Sequence, residues 1–105
     1  MEKEANAAPF ARLERVTTKG NLWLYILSAL RKKKIYAYGL RDGVEREFGW
    51  KPSLIMSYVV LYKLEHGGFI RSAFEGRRKY YSITEKGRKL LRKGKTFLRS
   101  LAKKL

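Results

Sequence analysis

The sequence predicts a mainly α fold with one small β-hairpin, ordered helix, helix, helix, hairpin, helix. Three observations support this. Apolar residues recur every three to four positions in several separate segments, the spacing of one helical face. One stretch, Phe69 to Ile83, is short, β-rich and folded about Glu75-Gly76-Arg77-Arg78, which reads as two strands joined by a turn. Gly and Pro fall where the segments have to end.

The 105 residues leave room for one domain with a modest core. Residues 1–9 are polar and Ala-rich, end in Pro9, and read as a loose arm. Phe10, Leu13 and Val16 then keep helical spacing and predict a short docked turn, which Thr17-Thr18-Lys19-Gly20 breaks. Residues 1–19 are therefore taken as an N-terminal arm. Asn21 is the expected N-cap of a first body helix. Trp23, Ile26, Leu27 and Leu30 stripe that helix, and Arg31-Lys32-Lys33-Lys34 closes it where cations suit the negative end of the helix dipole.

Ile35 to Tyr38 reads as either an edge strand or the lead into the next helix, which runs from about Tyr38 to Phe48 with Leu40, Val44 and Phe48 four apart. Asp42, Glu45 and Glu47 are expected on its solvated face, paired with Arg41 and Arg46. Pro52 and Gly67-Gly68 bracket a third helix, Ser53 to His66. Strands Phe69–Phe74 and Lys79–Ile83 follow, with Tyr81 and Ile83 facing the core and Tyr80 and Ser82 outward. Thr84 caps a final helix from Glu85 to about Leu105. Three helices followed by a hairpin form the pattern of a winged helix-turn-helix, here residues 20–84, with residues 85–105 as a long C-terminal dimerisation helix.

Charge narrows the function. The 25 Lys and Arg outnumber the 9 Asp and Glu, for a formal net charge of +16. The surplus is 4 in residues 1–50 and 12 in residues 51–105. So much like charge on a small body repels itself unless a polyanion compensates it. A merely supercharged surface would balance more of its cations with acids. The absence of cysteine excludes disulfides and thiolate metal sites. The apolar run Leu22–Leu30 is too short to span a bilayer, and no signal-peptide pattern opens the chain. A cytoplasmic protein is expected. His66 is the only histidine, and no acid/base pair or phosphate-cradling glycine loop stands out, so neither enzyme activity nor a metal or other cofactor is expected.

On the third helix, 100° per residue puts Leu54, Ser57, Leu61 and Leu64 on the core side. The other side offers Ile55, Met56, Val59 and Lys63, with Lys51 and Ser53 at the start. The second helix of a helix-turn-helix pair meets base edges with its first residues. This face is apolar for such a task. It could meet thymine methyls, a flat aromatic ligand or another protein. The hairpin sets Arg77, Arg78 and Lys79 side by side at a projecting turn, which suits phosphates or a narrow minor groove. The last helix carries Leu90, Phe97, Leu98, Leu101 and Leu105 as a stripe among many cations. A second copy would bury that stripe most simply. Packing back on the same chain and lying on a membrane surface are the alternatives.

Several of these segments match one known pattern. Leu24-Tyr25-Ile26-Leu27, Tyr36-Ala37-Tyr38-Gly39-Leu40, Tyr58 to Glu65, Gly68-Phe69-Ile70 and above all Arg78-Lys79-Tyr80-Tyr81-Ser82-Ile83-Thr84-Glu85-Lys86-Gly87 resemble the PadR family of transcriptional regulators over about residues 20–92. The resemblance implies a homodimer on two-fold symmetric operator DNA, often repressing. It places Ser53, Met56 and Tyr58 on the recognition helix and Arg77, Arg78 and Lys79 on the wing, and gives dimerisation to the C-terminal and first helices. It also implies a small aromatic effector in some members, for which Trp23 and its neighbours are the candidates. Ala37 stands where the family often has Gly, and Ile55-Met56-Ser57 replaces a Gly-Thr-Leu stretch, so no operator sequence carries over. The short last helix resembles the subfamily without a large effector domain. The expected partners are double-stranded DNA and a second copy, with no membrane. An architectural nucleoid protein, largely blind to sequence, is the rival reading.

Overall fold

The computed structural model describes residues 2–105, with side-chain surroundings from Ala8 onward. Its elements are α1 (Glu2–Thr17), a 3₁₀ turn (Lys19–Asn21), α2 (Leu22–Leu30), β1 (Ile35–Tyr36), α3 (Ala37–Phe48), α4 (Leu54–His66), β2 (Ile70–Glu75), β3 (Arg78–Ile83) and α5 (Glu85–Lys104). The expected order holds, with two additions: a helix where the arm was expected, and a third strand.

The core is built where α2, α3 and α4 meet the sheet. Leu22, Ile26, Leu27 and Leu30 bury one face of α2 against Leu40 of α3, Leu61 and Leu64 of α4, and Ile70, Tyr81 and Ile83 of the sheet. The sheet is antiparallel in the order β1-β3-β2. Ile35 and Tyr36 pair with Tyr81 and Tyr80, so the stretch read as strand or helix lead is both: two strand residues that run straight into α3. The pairing brings the Tyr36 ring edge-on to Tyr80 at 5.7 Å and half-buries Tyr80, which alternation alone would leave outward.

The hairpin is tighter than expected. Glu75 pairs with Arg78, leaving Gly76-Arg77 as a two-residue loop and Arg78 within the strand. Gly76 has φ +64°, and no non-glycine among the described residues has positive φ. That sign pattern fits a type II′ turn, whose twist matches the strands it joins. The Lys34 ammonium reaches over the central strand β3, past the Tyr80 ring, to Glu75.

Several local expectations change. The stretch read as a loose arm is helical: α1 begins at Glu2 and runs past Pro9. Pro9 removes one donor from the helix ladder, but Ala5, Ala7 and Ala8 before it and Arg12, Leu13 and Glu14 after it favour helix on both sides. Nor does this segment dock on the core, because Phe10, Leu13 and Val16 all stay exposed. Asn21 makes no side-chain cap. Its amide donates to the Val16 carbonyl at 2.6 Å and its Oδ1 accepts the Trp23 indole N–H, so it ties α1 to α2 instead. Arg41 and Arg46 do not pair with the acids of α3. Arg41 donates to the Pro52 carbonyl, and Lys51 takes Asp42 and Glu45 at 3.3 and 4.0 Å from across the turn.

The cap at Thr84 is as expected, and Ser53, read as the first residue of its helix, is the cap of α4. Ser53 Oγ accepts from the Met56 N–H and Thr84 Oγ1 from the Gly87 N–H. Thr84 Oγ1 also donates to the Gly68 carbonyl, locking the start of α5 to the end of α4.

Candidate nucleic-acid interface

Helix α4 is apolar on nearly every side, which is why its two faces must be told apart by packing. Ser57, Leu61 and Leu64 are buried, and Ser57 satisfies its hydroxyl by donating to the Ser53 carbonyl at 2.7 Å. Ile55, Met56, Tyr58, Val59, Tyr62 and Lys63 remain on the surface. The Tyr62 ring stacks on His66 at 6.0 Å, which leaves His66 a helix-end residue, as expected.

The wing stands beside this face. Arg77 is at its tip, the Arg78 guanidinium lies 4.4 Å over the Tyr36 ring, and the Lys79 ammonium lies 4.0 Å from Glu65 and 5.7 Å from the Tyr81 ring. Arg77 and Arg78 have no acidic partner within 4.0 Å among the described residues, and the Lys79–Glu65 pair is largely solvated and weak. Burial, helped by the Glu65 carboxylate and Tyr58, raises the Tyr81 hydroxyl above the ordinary tyrosine value and keeps it protonated.

Between α4 and the wing lies a cleft of about 530 Å³, walled by Tyr36, Tyr38, Tyr58 and Phe74 and rimmed by Arg77, Arg78 and Lys79. The fold thus brings Tyr58 and the three wing cations together. It adds Tyr36, Tyr38 and Phe74, which periodicity and motif do not assign to the site. Treating Ile35–Tyr36 as a strand would locate Tyr36, because antiparallel pairing fixes it against the wing. Lys51, by contrast, does not line the cleft and faces the Asp42 and Glu45 carboxylates in solvated pairs, and the Ser53 oxygen is engaged in its cap.

A second open volume, about 680 Å³, lies between α2 and α5. Trp23, Leu24, Tyr25 and Phe48 form one wall, Leu91, Phe97, Leu98 and Leu101 the other, and Val16 of α1 contributes at one side. Of the stripe on α5, Leu90 is set apart from the rest. It is half-buried and packs against the core, while Phe97, Leu98, Leu101 and Leu105 are exposed. Leu91, which lies outside that stripe, is the buried leucine of α5. No helix among the described residues is long and apolar enough to cross a membrane, and no cluster of metal-ligating side chains occurs among them.

Comparison with known proteins places this geometry in a family. The profile of the transcriptional regulator PadR-like family matches residues 26–93. Among solved structures, a PadR family transcription regulator from Clostridium difficile R20291 is 27% identical, with a TM-score of 0.74 over 80% of this chain and 93% of its own. A PadR family regulator from Eggerthella lenta is 25% identical, with a TM-score of 0.77 over 95% of this chain and 91% of its own. Bacillus subtilis PadR in complex with operator DNA is 29% identical, with a TM-score of 0.60 over 69% of this chain and 45% of its own. No curated protein matches.

Proposed function

The chain belongs to the PadR-like family of transcriptional regulators, and from that premise we propose that it is a non-enzymatic, cytoplasmic, sequence-specific DNA-binding repressor acting as a homodimer. One observation carries the reading: the wing cations, of which Arg77 and Arg78 have no acidic partner among the described residues, share one cleft with Tyr58 of α4. A duplex offers a matching relief, a major groove to take α4 and a phosphate ridge beside it to enter the cleft. Arg77, Arg78 and Lys79 would then neutralise phosphates or reach the minor groove, and the Tyr36, Tyr38 and Tyr58 hydroxyls would line the strand's path. The groove between α2 and α5 would be closed by the partner's α5, with Phe97, Leu98, Leu101 and Leu105 buried between the copies. A two-fold dimer would set its two α4 helices about 34 Å apart, one turn of B-DNA. A small aromatic effector would find its walls at Trp23, Tyr25 and Phe97 in that same groove.

The wing provides the test. These three side chains are exposed, so replacing all three with Ala leaves the core intact. Affinity for duplex DNA should fall, and the slope of log affinity against log salt should flatten by up to about 0.9 for each phosphate no longer neutralised. Unchanged affinity and slope would remove the wing from the interface.

The net charge of +16 also suits an architectural protein that ignores sequence. Competition between a selected site and random duplex at fixed salt separates the two. A regulator discriminates by about 10³ or more, an architectural protein hardly at all.

A further inference from the structure

The part of α4 that would enter the groove lacks the side chains that usually read bases. Its first two turns, Leu54 to Val60, contain no Arg, Lys, Asn, Gln, Asp or Glu. Their only hydrogen-bonding side chains are Ser57, which is buried and already bonded, and Tyr58, which lines the cleft. Of the flanking candidates, Ser53 Oγ accepts the Met56 N–H, and Lys51 precedes these turns and faces Asp42 and Glu45 in solvated pairs. Forked donors to guanine and the paired amide contacts to adenine therefore cannot come from these two turns of the helix. What it presents is hydrocarbon and a thioether, with Ile55 77%, Met56 47% and Val59 39% exposed.

Only one feature of a major-groove base edge is apolar, the 5-methyl of thymine. Against G·C pairs, the same face would strip water from donors and acceptors and give nothing back. We propose that the base pairs beneath Ile55, Met56 and Val59 in each half-site are A·T pairs, identified by burial of thymine methyls rather than by hydrogen bonds. This rests on α4 entering the major groove. It assigns specificity to α4 and leaves phosphate grip to the wing.

The test uses the full chain. Binding sites are first selected from random duplex DNA, and each thymine of the selected half-site is then replaced singly by uracil, which removes the methyl and keeps the pairing. Affinity should drop about fourfold at each contacted thymine, the worth of one buried methyl-sized group, and stay unchanged for thymines outside the contacted steps. The Ile55→Ala and Val59→Ala proteins, altered at exposed positions and checked for a wild-type melting curve, should each lose discrimination at one step while keeping the salt slope. A G·C-rich selected core, or uracil duplexes bound as tightly as thymine duplexes, would overturn methyl reading and leave DNA binding standing. Failure to bind any duplex in dilute salt would overturn both.

Discussion

The two halves of α5 share a composition but not a fate. From Glu85 to Gly94 the helix is seated: Gly87 and Leu91 are buried, and Gly94 lies against Leu24 and Trp23 of α2. From Lys95 to Leu105 the same helix carries Phe97, Leu98, Leu101 and Leu105 into solvent. The difference is set by what stands opposite. The first half faces α2 and the sheet, and its glycines admit close approach. The second half faces the open side of a groove whose far wall is already apolar. An amphipathic helix buries its apolar stripe, and the proposed second copy would do so for this half. Helix α4 teaches the complementary lesson. Its exposed apolar residues lie beside the wing cations Arg77 and Arg78 rather than along a hydrophobic groove, which is the arrangement the proposed DNA contact uses.

The seated half can be broken at one atom. A Cβ on Gly87 would collide with the Phe69 carbonyl oxygen, which is backbone and cannot swing away, and would lie 2.9 Å from Ile83 Cγ1. Gly87→Ala should therefore destabilise the fold by about 3 kcal/mol, near the upper end for overpacking. At Gly94 the nearest atoms are side-chain tips, Leu24 Cδ2 at 2.9 Å and a Trp23 ring carbon at 3.0 Å. Both can shift, and Ala recovers about 1 kcal/mol of helix propensity. Gly94→Ala should therefore change stability by roughly 1 kcal/mol or less. Urea melts of the two proteins read the contrast directly, and equal costs would mean that α5 is not held against the β2–β3 end as described.

The unseated half is broken by charge. Leu98→Lys with Leu101→Lys should yield a folded monomer by sedimentation, since neither side chain belongs to the domain core. Loss of the second recognition unit should weaken binding to a two-half-site duplex by about a hundredfold. A dimer of unchanged mass would place the interface elsewhere, with the exposed Phe10, Leu13 and Val16 face of α1 the next to alter.

What the sequence could reveal followed the range of the interactions. Helices α2 to α5 and the hairpin were legible because periodicity, Pro52, Gly67-Gly68, Gly76 and Thr84 act within a few residues of themselves. Two-residue β1 has no period to detect. It exists because β3, more than forty residues later, offers Tyr80 and Tyr81 as partners, and this pairing delivers Tyr36 to the cleft. The acids of α3 were mispaired for the same reason, since a turn brought Lys51 closer than any cation on the helix itself. Leu90 and Leu91 show a finer limit. Adjacent residues differ by 100° around a helix, and only the position of α2 decides which one is core. The stripe on α1 was visible, but its failure to dock was not, because exposure depends on what the rest of the chain leaves uncovered.

Tyr25 tests how firmly the groove's wall is held. Its hydroxyl donates to the Thr17 carbonyl at 2.7 Å, tying the end of α1 to α2, and its ring meets Phe48 and Trp50 edge-on at 4.8 and 5.0 Å. Phenylalanine would keep the ring contacts and lose only the hydrogen bond, so Tyr25→Phe should cost about 1 kcal/mol. Burial raises the Tyr25 hydroxyl above the ordinary tyrosine value. The contribution of a group whose folded value is raised is fully present below its unfolded value, near pH 10, and is lost as pH rises through the folded value. The stability gap between wild type and Tyr25→Phe should therefore hold steady from neutral pH to about 10 and close above it. A gap constant into stronger alkali would show that the Thr17 contact is not the source of the difference, and that α1 is tied to the body mainly through Asn21.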